Sequence, residues 1–283
     1  MRQDPTKDFN VPLARIYGEQ GKLEKMFHTY LNLIQANPSY RSISQRNFSL
    51  YVNEDPTNEA NVILRKTLLK RLQEKPDILY NELLSWLFIQ QKQYKKAFVQ
   101  EKAIYKRSEE DLIGIIDLGF IAMNDEDFEN AYDIFTYAIE NSPTPEEKLR
   151  NHQYLMKVRL QTASEKEYDA IVAEFQRLFD TYGSGKQTYL LQIDYNHFLA
   201  FTMGNTTEAI ENLKTLAKYN MTSYQEARVK MELADILVYD EKFNQALIYY
   251  SQIQNKIKNS VISQEARFKV AKASYYKGDF KWA

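Results

Sequence analysis

The run "GSGK" at 183–186 is the first stretch whose residue types could do chemistry, because a glycine-rich loop ending in lysine can cradle phosphate groups. That motif also needs a glycine five residues before Gly185 and a serine or threonine after Lys186, and Asp180 and Gln187 stand there instead. The phosphate loop is excluded. Three histidines, His28, His152 and His197, could ligate a metal or act as bases, but no His-x-x-x-His or His-Glu-x-x-His spacing puts two of them on one helical face. The chain has no cysteine, which removes disulfides, thiolate catalysis and cysteine-ligated zinc together. The acidic run "NDEDFEN" at 124–130 has too few ligand-spaced oxygens for a calcium hand, and reads as a solvated turn capping a helix that begins near Phe128. No catalytic residue, metal or cofactor is assigned, and the expectation is a chain that is not an enzyme.

The elements that would position any site are helices. Of 283 residues, 44% are apolar, while only 8 Gly and 7 Pro leave little turn material for a β-rich fold. With 21 Tyr and 15 Phe, the composition suits amphipathic helices packed through aromatic side chains. Lys plus Arg number 37 and Asp plus Glu 38, so the basic excess that displaces counterions from nucleic acid is missing. The longest apolar stretch, "LLSWLFI" at 83–89, falls far short of the ~20 residues of a membrane-spanning helix. The start, "MRQDPTKDF", lacks the apolar core of a signal segment. Compartment stays open: cell envelope or periplasm if such a segment has been removed, cytoplasm otherwise.

A short pattern recurs. "KQYKKA" at 92–97, "DEDFENA" at 125–131, "DEKFNQA" at 240–246 and "KGDFKWA" at 277–283 each read as a turn, an aromatic residue and an alanine three positions later. Twelve residues before each alanine (Ala97, Ala131, Ala246, Ala283) stands a compact residue: Ser85, Gly119, Ala234 and Ala271. Two antiparallel helices need such a pair where they cross, since small side chains let the backbones approach. Successive anchors lie 34 residues apart from Ala97 to Ala131 and 37 apart from Ala209 to Ala246 and from Ala246 to Ala283. A helix-turn-helix recurring at that period predicts a helical solenoid. His197 occupies the crossing slot twelve residues before Ala209, and a satisfied structural histidine is the favoured reading there. Side-chain caps are expected at Ser108 with Asp111, at Thr144 with Glu147, and at Ser223 with Glu226.

These residues resemble the tetratricopeptide repeats. The copy at 112–143 carries Leu118, Gly119, Ala122, Phe128, Ala131, Phe135, Ala138 and Pro143 in the family's pattern. The first unit carries Ala14, Tyr17, Gly21, Tyr30, Leu33 and Pro38, but has Met26 where a small crossing residue is expected. The run "ARFKVAKASYYKGDFKWA" also looks like multi-repeat proteins of the Bacteroidetes. The resemblance implies an all-α, right-handed α-solenoid of about seven and a half hairpins. Its units fall at about 4–38, 39–76, 77–108, 109–143 and 144–182 in an N-terminal stack (1–182), and at about 186–220, 223–259 and 261–283 in a C-terminal stack (183–283). The last unit is incomplete, so further residues are expected beyond 283. Between the stacks, "YGSGKQT" at 182–188 reads either as a hinge or as a helix C-cap.

In this family the first helix of each unit lines an inner groove, which implies a partner-binding set of Trp86, Ile89, Phe120, Met123, Phe198, Phe201, Tyr239, Tyr275 and Tyr276. Some relatives clamp a peptide carboxylate with Lys, Arg and Asn in these slots; Trp86, Phe120, Phe198 and Asp235 stand there, so apolar anchoring is expected instead. The implied function is a non-catalytic protein-interaction scaffold or adaptor. A helical accessory subunit of an envelope assembly or enzyme is the alternative. The expected partner is another protein or a peptide segment, with self-association as a second option.

Overall fold

The computed structural model describes residues 9–108 and 111–280, and its regular structure there is helical. Contacts group the chain into two compact units, Met1–Ser142 and Pro143–Ala283. The first holds α1 (Asn10–Glu19), α2 (Leu23–Ala36), α3 (Arg41–Phe48), α4 (Glu59–Glu74), α5 (Ile78–Gln90), α6 (Tyr94–Ser108), α7 (Ile113–Asn124) and α8 (Phe128–Asn141). The second holds α9 (Pro145–Thr162), α10 (Tyr168–Tyr182), α11 (Tyr189–His197), a π-helical turn over Phe198–Thr202, α12 (Thr206–Leu216), α13 (Ser223–Tyr239), α14 (Phe243–Lys256) and α15 (Val261–Lys277). Neighbours in sequence pack as hairpins, α1 on α2, α5 on α6, α7 on α8 and α13 on α14.

One backbone device closes the first helix of these hairpins and also ends α15. Gly21, Lys92, Glu126, Glu241 and Gly278 all adopt the left-handed conformation, with φ between 52° and 84°. The residue after each donates its N–H to a carbonyl five positions back, as in Lys22→Tyr17 (2.8 Å), Gln93→Phe88 (2.9 Å), Asp127→Ala122 (2.9 Å), Lys242→Leu237 (2.8 Å) and Asp279→Ser274 (2.9 Å). This is the Schellman closure, which satisfies the carbonyls left open at a helix end and reverses the chain. Three of the five positions carry a side chain where glycine fits without strain. Glu126→Gly and Glu241→Gly are therefore expected to raise stability by up to about 1 kcal/mol each. Urea midpoints at or below the wild-type value would count against these turns.

The crossing slots are close-packed. Ala97, Ala131, Ala209, Ala234 and Ala246 have no exposed surface, and Ser85 keeps 1%. At Gly119 a Cβ would come within 2.8 Å of the Phe135 ring. Ala283 lies outside the described residues, and Ala271, expected opposite it, is half-buried. In the first hairpin Ala14 is fully buried and Tyr17 half-buried, and the bulk of Met26 is taken up one turn along: a Cβ on Gly18 would lie 2.6 Å from the Met26 sulfur and 2.4 Å from the Tyr51 hydroxyl. Small and large residues have exchanged places across the same crossing.

The weakly patterned segment 39–76 is held by other means. α3 docks through fully buried Phe48, whose ring meets Phe27 (5.1 Å) and Tyr30 (5.7 Å) edge to face. Buried Asn61 in α4 reaches back to donate to the carbonyls of Asn53 (2.8 Å) and Asp55 (2.6 Å), which fixes the loop after α3.

Two expected caps shift. Thr144 does accept from the Glu147 N–H (3.2 Å) with Pro145 opening α9. The cap of α13 is Thr222 with Gln225, one residue earlier than Ser223 with Glu226. Ser108 ends α6, donating to the Ile104 carbonyl (3.1 Å), and Asp111 accepts from the Ile113 N–H (3.0 Å) at the start of α7. Asp127 caps α8 by accepting from the Asn130 N–H (3.2 Å), the role expected of the acidic turn. Pro143 follows the last residue of the first unit. Within the second unit, Gly183 caps α10 at φ 83°, and Gln192 ties the loop down by donating to the Gly185 carbonyl (3.0 Å).

Candidate docking groove

The last turn of α11 decides what the second unit presents. Its π-helical turn adds one residue to the helix, and the following closure widens, with the Asn205 N–H reaching six residues back to Leu199 (2.8 Å). The register before it slips accordingly. Asn196, rather than His197, sits in the buried crossing slot, donating to the Gln192 carbonyl (2.7 Å) and accepting from Asn212 on α12 (3.0 Å). His197 turns outward with a little more than half its side chain exposed. Phe198, one of the expected groove residues, is pulled into the core at 3% exposure, with its ring edge-on to Tyr168 at 5.1 Å.

Phe201 is left facing α13. Its ring lies between His197 (4.6 Å between centroids) and Tyr239 (5.0 Å). Phe201 and Tyr239, but not His197, wall a cavity of about 640 Å³ at the meeting of α13, α14 and α15, together with Val238, Phe243, Phe268 and Tyr276. Asp235 stands at its base, accepting from the Tyr250 hydroxyl (2.5 Å) and pairing with Lys269 on α15. Tyr239, Tyr275 and Tyr276 are each more than half exposed. Tyr275 packs on Tyr276 and Phe280 beside the cavity. In the first unit the expected groove residues Trp86, Ile89, Phe120 and Met123 are half-buried; Trp86 is tilted against Phe48 (6.2 Å) and Phe120 is edge-on to Phe135 (5.4 Å).

A ladder of charges links successive first helices of the second unit. Lys157 on α9 pairs with Asp194 on α11 (3.5 Å), to which Gln153 also donates (3.3 Å). His197 Nδ1 lies 2.8 Å from Glu232 Oε1 on α13, and Asp235 pairs with Lys269. The second and third rungs join residues 35 and 34 apart, one repeat length. Opposite charges at that offset were the available sequence signal. Burial raises the Asp194 carboxyl against the pull of Lys157, while the hydrogen bond to Glu232 raises the His197 imidazole.

The other two histidines lie in different surroundings. His28 Nδ1 meets Arg71 (3.1 Å), and burial with that guanidinium lowers its pKa. His152 lies 6.0 Å from the Tyr182 ring, and burial brings it down to about 4. Among the described residues no three His, Asp or Glu side chains converge as a metal site, and no helix is long and apolar enough to cross a membrane.

No protein-family model and no curated protein sequence matches the chain. Among solved structures, a thermophilic tetratricopeptide-repeat protein of Thermus thermophilus is 12% identical, with 70% of this chain and 100% of that one covered and a TM-score of 0.47. A tetratricopeptide-repeat protein of Parabacteroides merdae is 14% identical, with 93% and 97% covered and a TM-score of 0.44. The helix order and the repeated closures make this chain an all-α helical-hairpin repeat protein, similar to the tetratricopeptide repeats.

Proposed function

We propose that the chain is a non-catalytic scaffold or adaptor that holds an apolar segment of another protein in the groove walled by Phe201, Tyr239 and Tyr276. The observation that carries this reading is the cavity itself. Its volume of about 640 Å³ accommodates several side chains, and the rings around it come from helices in fixed register. Aromatic residues that present large area with few rotatable bonds make strong anchors. Asp235, which lines the cavity, is engaged with Tyr250 and Lys269 and serves to brace its wall.

The test is capture by crosslinking and mass spectrometry, with the wild-type chain beside a Phe201→Ala, Tyr239→Ala variant whose helical circular dichroism is unchanged. A partner held by the wild type should bind the variant about 30-fold more weakly or worse, the scale of losing central aromatic anchors. Equal affinity for both proteins overturns the assignment of the groove.

A further inference from the structure

We propose that His197 and Glu232 form a pH-sensitive latch on this groove, so that the apolar segment is held more tightly when the imidazole is charged than when it is neutral. The inference rests on the docking reading above and adds its regulation. Three features of the geometry carry it. The His197–Glu232 contact of 2.8 Å joins α11 to α13 beside the cavity. The His197 ring lies on Phe201, and Phe201 on Tyr239, so both cavity-lining rings are mechanically downstream of the histidine. The residues that follow His197, Phe198–Thr202, form a π-helical turn, a local departure from α-helix of the kind found at functional sites.

The surroundings favour a charged imidazole. Glu232 and Asp235 approach from α13 and Asp194 from its own helix; Lys157 and Lys269 are engaged with Asp194 and Asp235. The net field on the ring is acidic. A charged His197 is bound to Glu232 as an ion pair and fixes the Phe201 wall in its binding position before a ligand arrives. A neutral ring keeps at most one N–H donated to the Glu232 carboxylate, without the ion pair, and the wall is released to move with the π-helical turn.

The sign in stability follows from the same pair. The His197 pKa is raised in the folded chain from the ordinary 6.5, principally by the hydrogen bond to Glu232. Its contribution is fully present below the unfolded value and is lost as pH rises through the folded value. His197→Gln should therefore cost stability in acid and little in alkali.

The probe for the groove is 8-anilinonaphthalene-1-sulfonate, whose fluorescence rises on entering apolar clefts and whose sulfonate does not titrate in this range. Its dissociation constant is measured on the full chain at about pH 5.5 and about pH 8.5, either side of the ordinary histidine value. The wild type should bind roughly two- to fivefold more tightly at the lower pH, the scale of one partly exposed ion pair. Both His197→Gln and Glu232→Gln should lose that difference. Histidine proton spectra provide a second readout: the His197 resonance should titrate above the ordinary value in the wild type and fall back toward it in Glu232→Gln. If the Phe201→Ala, Tyr239→Ala variant binds the probe as well as the wild type, the docking groove and the latch both fail. If that variant loses binding while His197→Gln keeps the full pH difference, the latch alone is overturned.

Discussion

Replacing Gly119 with leucine is expected to lower the unfolding free energy by about 3 kcal/mol, the upper part of the range for overpacked sites. At this crossing of α7 and α8, a Cβ alone would stand 2.8 Å from both Cε1 and Cζ of Phe135 and 3.1 Å from the Ile134 methyl. Phe135 cannot swing aside, because it has no exposed surface and its ring is held edge-on by Phe120. The helices must therefore separate, and the apolar contact along the whole hairpin loosens. Phe135→Ala removes a fully buried ring and should itself cost about 3 to 5 kcal/mol. Combining the two should cost less than their sum, since the leucine side chain enters the space the ring vacated. Urea unfolding of the two single variants and the double variant measures the coupling. Strict additivity would mean that residue 119 does not face residue 135, and the hairpin register would be wrong.

That register was legible in the sequence because a hairpin of fixed length encodes its crossing locally: Gly119 and Ala131 stand twelve residues apart whichever partner the hairpin meets. The turn, the aromatic residue and the alanine of "DEDFENA" carry the same information, as the closure at Glu126 and the burial of Ala131 show. Exchanges across a crossing are harder to read. Met26 looks like a departure from the pattern until Gly18 and Tyr51 are seen around it, and Tyr51 lies in the next segment of the chain. The candidate groove was legible only in part for a related reason. A residue added by a π-helical turn changes neither composition nor charge, so Asn196 and His197 exchange roles and Phe198 turns inward while the apolar pattern around them looks continuous. The rungs of the charge ladder are likewise invisible one helix at a time, since each joins residues a repeat apart. What one regular hairpin encodes was readable, and what a π-helical turn or a neighbouring hairpin adds was not.

Asp235 is where stability and the groove meet, and Asp235→Ala is expected to cost about 2 to 3 kcal/mol. Its carboxylate accepts from the Tyr250 hydroxyl at 2.5 Å, and Tyr250 is 1% exposed. Burial and the nearby carboxylate push the Tyr250 phenol well above its ordinary pKa, so it is a protonated donor at neutral pH. Without Asp235 that hydroxyl, on a side chain with almost no exposed surface, loses its acceptor, which is the larger part of the expected cost. The ion-pair part is smaller: Lys269 is a quarter exposed and keeps Glu265 within 3.3 Å. Introducing Tyr250→Phe into the Asp235→Ala variant should then recover about 1 kcal/mol, because the stranded donor is removed while the ring that fills the space remains. Tyr250→Phe in the wild-type background should instead destabilise by about 1 to 2 kcal/mol. This change of sign separates a hydrogen-bonded anchor from a ring that only fills volume. If Tyr250→Phe has the same effect in both backgrounds, Asp235 does not hold the Tyr250 hydroxyl, and the base of the groove is built differently.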